Sequence, residues 1–378
     1  MKSVITHGSY KTSYFYIKIY TKKDIQTWLK EDGNIAYWIH EIIHYLQDLV
    51  LPYNINQILY KAIGFEEVIS FINKEGYLKL DFNDNWSQQY NDLKALSVKT
   101  FGSLNQNEIS GARDFLEYIA YKIECKLSPN CDEVSQCRYE LVDLFFKDRG
   151  FPSTSDAIKI CVAEFCLYND KPLDTLYRLF NDKNLLILIN KNEYQEVYKY
   201  LMSYPVVAFD CENLKTEDIA VIRREKLIKK LKCQYNGYDA IVKWIIRATS
   251  FIMNNYSGKF LFSDIYNMDT TNSKIELKKI IEKIGIPLVL NSQNQCISVG
   301  FDEKEEKQFI NFYIMRKFMS FVSHKSSCCP ICDLCSTNTI KKYLKCKIKK
   351  GIIIGEENCY YNRFLNNYGI CNLKYNII

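Results

Sequence analysis

Residues 37–48 spell YWIHEIIHYLQD. From Asp24 onward the apolar spacing is helical. Asp32-Gly33-Asn34 offers a stop and N-cap signal and Pro52 sets the far limit, so a long helix is expected between them, through about Leu51. On such a helix His40 and His44 stand at i and i+4 on one face, where two imidazole nitrogens can converge on one ion. Glu41 is rotated by roughly 100° about the axis. Its carboxylate therefore falls beside the ion without being a ligand, where it can take a proton from a water. Two histidines covering a surface helix by chance is the plainer reading. Against it, the chain has only four His in 378 residues, and two of them fall at this spacing with Glu in the intervening slot.

A catalytic zinc takes three protein ligands and a water. Only His7 and His324 remain as imidazoles, so a carboxylate is favoured as the third ligand. Residues 112–124, ARDFLEYIAYKIE, read as a helix with Phe115, Ile119 and Ile123 at steps of four. Glu117 lies among them, a poor place for a carboxylate that has no partner. Glu124, two turns on, shares its face and is either a supporting partner or a rival ligand; Glu67 is the competing choice. A solvated helix face is the expectation for Glu66, Glu67 and Glu164.

HEIIHYLQD, followed by a distant Glu117-Tyr118-Ile119-Ala120-Tyr121-Lys122-Ile123-Glu124, resembles the zincin-type metallopeptidases with two histidines and one glutamate, the gluzincins. More narrowly it is similar to largely uncharacterised bacterial proteins that carry HExxHxxQ in an otherwise helical domain. The resemblance spans roughly residues 30 to 180. It implies His40, His44 and Glu117 as zinc ligands, Glu41 as general base, and Gln47 and Asp48 as supporting residues. Two departures stand out: Glu117 lies much farther from His44 than the corresponding glutamate of the thermolysin branch, and Tyr118 stands where small residues are common.

Hydrophobic residues make up 47% of the chain, charged residues 25%, and Gly and Pro together are few, which excludes disordered and collagen-like readings. A formal charge of +6 spread over this length does not argue for nucleic acid. No window is apolar for long enough to span a membrane. Lys, His, Ser and Thr interrupt the opening segment, so no signal peptide is expected, and the 15 Cys are expected to be reduced and cytoplasmic.

Organisation follows from periodicity. Residues 14–20, YFYIKIY, are expected as an opening strand or hairpin. Helices are expected near 55–73, 88–99, 106–127, 133–148, 155–168, 172–181, 216–232, 237–255 and 303–322. Short strands are expected around 287–290 and 295–299. The fold class is therefore mainly α (α+β), with a zincin-like domain over 1–210, a helical region with short strands over 211–325, and a cysteine-rich tail over 326–378. In that tail Cys329-Pro330-Ile331-Cys332 forms a C-P-x-C knuckle that Cys335 extends. A second, structural zinc is one reading. Reduced thiols and an iron–sulfur cluster are the others. Cys328, Cys332 and Cys335 also match the radical SAM spacing, but too little chain follows for that barrel. The lysines of 341–350 are expected as a solvated face.

The function expected is zinc-dependent hydrolysis of a peptide bond in a peptide or protein substrate. The alternative is a catalytically silent metal-binding regulatory module. Nucleic-acid binding by the tail is a weaker third.

Overall fold

The computed structural model describes residues 8–31, 34–75, 77–78, 111–128, 137–208, 211–323, 347–349, 352–354, 359–370 and 374–375. The chain is mainly helical with a small four-stranded sheet. In chain order the helices are α1 (Ile25–Leu29), α2 (Asn34–Val50), α3 (Pro52–Glu75), α4 (Ala112–Leu127), α5 (Leu141–Asp148), α6 (Asp156–Cys166), α7 (Pro172–Leu179) and α8 (Lys183–Lys191). They continue as α9 (Tyr194–Ser203), α10 (Thr216–Gln234), α11 (Asp239–Tyr256), α12 (Leu261–Asn267), α13 (Thr270–Ile284), α14 (Glu303–Ser323) and α15 (Tyr360–Asn367).

The sheet is built from β1 (Gly8–Lys11), β2 (Tyr16–Ile19), β6 (Ile286–Leu290) and β7 (Cys296–Val299), in the order β1-β2-β6-β7. β1 and β2 are the expected hairpin, and its turn places Ser13 and Phe15 at positive φ. β6 runs parallel to β2, with Tyr16 opposite Leu288 and Lys18 opposite Leu290. Strands from both sides of residue 210 thus complete one sheet. Two-stranded pairs elsewhere join β4 (Val206–Ala208) to β5 (Cys211–Leu214), β8 (Lys347–Lys349) to β9 (Ile352–Ile354), and β3 (Tyr77–Leu78) to β10 (Lys374–Tyr375).

α2 is the central helix. Ile42, Ile43, Leu46, Leu49 and Val50 are buried along it, and so are Glu41, Gln47 and Asp48. Polar groups at those depths must have partners, because an unpaired buried polar group costs roughly 1–3 kcal/mol. The helix stops before Pro52 because the residue ahead of a proline is pushed out of the helical region. The same proline then opens α3, where its missing N–H costs nothing. The carbonyls left at the end of α2 are taken up from far along the chain: Arg224 Nε donates to Leu49 O at 3.1 Å and its Nη2 to Val50 O at 2.7 Å. A buried arginine is thus the C-terminal cap of the histidine-bearing helix.

α4 packs along α2 and buries Phe115, Ile119 and Ile123 on the expected apolar face. Tyr118, the departure from small residues noted above, is fully buried and donates to Asp143 Oδ1 at 3.1 Å. The core continues through Phe15, whose ring lies 5.0 Å from Trp244 on α11 and 5.5 Å from Phe312 on α14. Helices α8, α9, α12, α13 and α15 were not among those expected from periodicity. The helix expected at 88–99 lies outside the described residues. Among the described residues no helix is long and apolar enough to cross a membrane.

Glu164 corrects one expectation. It is fully buried on α6, not solvated, and accepts from the amides of Phe262 (3.2 Å) and Ser263 (2.9 Å). Burial pushes its carboxyl well above the usual range despite those bonds. Glu66 pairs with Lys230, and Glu67 is exposed.

Candidate metal centre

α2 presents His40 and His44 toward α4, which presents Glu117 in return. The two Nε2 atoms are 3.0 Å apart, and each lies 3.3 Å from Glu117 Oε2. A tetrahedral ion with bonds of about 2.0–2.1 Å holds its ligand atoms roughly 3.3 Å from one another, so this triangle has the size of a metal-ligand set. Among the described residues, these three form the group that could hold a metal ion.

Hydrogen bonds behind the rings set which nitrogens face inward. The Leu116 carbonyl can only accept, so the Gln47 Nε2 that lies 3.0 Å from it is the donor. Gln47 Oε1 must then face the other way, and His44 Nδ1 donates to it at 2.8 Å. His40 Nδ1 likewise meets Glu124 Oε2 at 2.9 Å, and a carboxylate oxygen accepts. With both Nδ1 atoms carrying the proton, each neutral ring turns a bare Nε2 lone pair toward the other and toward the Glu117 oxygen. Three acceptors at 3.0–3.3 Å repel unless a cation sits among them. A metal ion or a proton meets that need.

Without a metal the proton goes to an imidazole. Burial pulls the His40 imidazolium down, but its hydrogen bonds to Glu117 and Glu124 and the nearby charge of Glu41 outweigh that and raise its pKa to about 10. Burial likewise pushes Glu117 up, yet the histidine charges and hydrogen bonds hold it well below the usual carboxylate range. Such opposed shifts in one cluster mark groups arranged around a charge.

Glu124 stands on the far side of the His40 ring as the acceptor from its Nδ1 and is outside the three-residue group. Glu67, the other alternative, lies on the exposed face of α3 and is not part of the cluster. Glu41 points to the N-terminal hairpin: its Oε2 accepts from the backbone amide of Tyr10 on β1. Burial raises its carboxyl, offset in part by His40 and His44. Asp48, two turns along α2, accepts from the Tyr10 hydroxyl at 2.9 Å, the Ser13 amide at 2.6 Å and Asn54 Nδ2 at 2.9 Å. Two carboxylates on α2 thus grip the hairpin at Tyr10.

The structure also brings one tyrosine to the site that spacing could not select. The Tyr139 ring lies 6.0 Å from that of His40 and stacks on Tyr121 at 4.7 Å. Burial, with Glu117, Glu124 and Glu41 nearby, pushes its phenol up, so it stays a donor. It sits within a short 3₁₀ turn, Cys137–Glu140, inside the stretch expected as a helix at 133–148, and nothing in the spacing singles it out among 29 Tyr. Cys329, Cys332 and Cys335 lie outside the described residues, as do His7 and His324. No protein-family model matches the chain, and no curated protein or solved structure matches it.

Proposed function

We propose that this protein is a zinc-dependent peptidase of the HExxH type. One observation carries the reading: His40 Nε2, His44 Nε2 and Glu117 Oε2 converge to 3.0–3.3 Å of one another, with Glu41 adjacent on the same helix. Two imidazoles and a carboxylate are the donor set of hydrolytic zinc sites that keep an open position. A zinc ion bound there supplies Lewis acidity, which lowers the pKa of a water toward ~7 and polarises a carbonyl.

His40, His44 and Glu117 hold the ion, and Glu124 and Gln47 fix the two rings. Glu41 takes the proton from the attacking water with Oε1, which accepts no hydrogen bond among the described residues, while Oε2 stays on the Tyr10 amide. Glu41 then passes the proton to the leaving amine. The Tyr139 phenol donates to the carbonyl oxygen as negative charge develops on it.

A second reading, a metal centre kept for structure or sensing, draws on the commitment of Glu41 Oε2 to the Tyr10 amide. Glu41→Gln separates the two. The wild-type protein should bind one zinc at this site and cleave unstructured polypeptide, and Glu41→Gln should keep the zinc and the fold but lose cleavage. Turnover retained in that variant overturns the peptidase reading. Zinc lost from Glu67→Ala but not from Glu117→Ala overturns the ligand set.

A further inference from the structure

Around the three candidate ligands the charged side chains are mostly covered. Side-chain exposure is 12% for His40, 16% for His44, 16% for Glu117 and 10% for Glu124. Arg113 is the exception at 41%. It stands one turn before Glu117 on α4, on the same face, and its Nε donates to Glu117 Oε1 at 3.3 Å. The other oxygen of that carboxylate is the one facing both histidines. The guanidinium is therefore one carboxylate's width from the ligand triangle and open to solvent.

Neutralising Glu117 does not account for this residue. The contact is a single bond from Nε in a half-exposed i,i+4 pair, a class of interaction that contributes about 0.3–0.5 kcal/mol. Lysine would serve equally for charge. Among the described residues no other group bonds Arg113, so both terminal amino groups of the fork remain to be used. A planar fork with parallel N–H donors matches a carboxylate in two-point fashion, which a lysine ammonium cannot do. Glu41 and Glu124, two carboxylates near the triangle, are both buried, whereas Arg113 is open to solvent.

We propose that Arg113 is the specificity-determining residue of this site and recognises a substrate carboxylate close to the scissile bond, an inference that rests on the peptidase reading above. That carboxylate is either an acidic side chain or the free C-terminus of the peptide. Both present the same planar anion, and they differ only in where the peptide must end.

The test uses binding, so that it does not depend on turnover. Three peptide hydroxamates are titrated against the full-length, zinc-saturated protein and its Arg113→Gln variant, with zinc content measured in both. One is neutral and amidated, one carries a glutamate side chain on an amidated peptide, and one ends in a free carboxylate. At least one acidic probe should bind about 10-fold more tightly than the neutral probe, and that advantage should vanish in Arg113→Gln. Preference for the glutamate probe assigns an internal acidic residue, and preference for the free terminus assigns a chain end. Equal binding of all three, or an advantage that survives Arg113→Gln, overturns the role of Arg113. The neutral hydroxamate reports the metal centre by itself. Its failure to bind therefore removes the proposed function and this inference together, whereas intact neutral binding without acidic preference removes only the inference.

Discussion

Gln47 Nε2 donates to the Leu116 carbonyl across 3.0 Å, joining the histidine helix α2 to the glutamate helix α4 at the residue next to Glu117. One amide thereby does two things. It fixes the tautomer of His44 through Oε1, and it fixes the distance between the helices that supply the candidate ligands.

Replacing it should separate these effects from the fold. Gln47→Leu fills the space but leaves His44 Nδ1 and the Leu116 carbonyl unpaired, so zinc affinity should fall by about 10–100-fold. Gln47→Glu still accepts from His44 but sets a second acceptor against the Leu116 carbonyl, so it should lower thermal stability more than it lowers zinc affinity. Competition with a chelator of known affinity measures the first effect and a melting curve the second. Wild-type affinity in Gln47→Leu would show that His44 is oriented by something else.

The pH dependence of the cluster has opposite signs with and without metal. His40 is raised from an ordinary value near 6.5 to about 10, so its ion pairs stabilise the metal-free fold fully below about pH 6.5. That contribution is lost as the pH rises toward 10. Glu117 runs the other way: held low, it contributes above the ordinary glutamate value and loses that contribution as the pH falls through its depressed one. Metal must displace the His40 proton, so zinc affinity should rise about tenfold per pH unit between 6.5 and 10, with one proton released per ion. Titration calorimetry in buffers of differing ionisation enthalpy counts that proton. The melting temperature of chelator-stripped protein should fall between pH 6.5 and 9, and a rise there would contradict the assignment.

How far this site could be read from sequence follows from what is periodic in it. His40, Glu41 and His44 are legible because a helix turns their spacing into proximity, and Glu117 because a carboxylate breaks an apolar helical face. The supporting groups are legible only in part. Glu124 is marked by sharing the Glu117 face, and Gln47 and Asp48 by the resemblance, but which atoms they meet is not, and the Tyr10 bond to Glu41, across 31 residues, leaves no local mark. The hairpin was legible from its aromatic run, whereas the parallel pairing of β2 with β6 was not, because nothing near Tyr16 or Leu288 encodes the other. Pro52 was legible as the end of α2 but is equally the start of α3.

Tyr139 offers a direct test of the chemistry. Phenylalanine keeps the stack on Tyr121 and the edge contact with His40 while removing the donor. If the phenol stabilises developing charge, Tyr139→Phe should lower kcat by roughly 10²-fold with KM and zinc content unchanged. A residue that serves packing alone would leave kcat where it is.

Gly8 tests the pose of Glu41, the proposed general base, from the strand side. A Cβ placed there would stand 3.3 Å from Glu41 Cγ and 3.5 Å from both Glu41 Oε1 and the Lys18 carbonyl oxygen. Alanine is therefore tight but fits with a shift of a few tenths of an ångström. The branched methyls of valine must instead push into the Glu41 carboxylate or lift β1 away from α2. Glu41 is not a ligand, so the metal should stay while the base moves. Displacing a catalytic group by ~1 Å can cost about 100-fold in rate, so Gly8→Val should lose about that much in kcat at full zinc content and Gly8→Ala only a few-fold. Zinc analysis alongside peptide turnover measures both. Full activity in Gly8→Val would mean that Glu41 works from a position other than the one beside Gly8 and the Tyr10 amide.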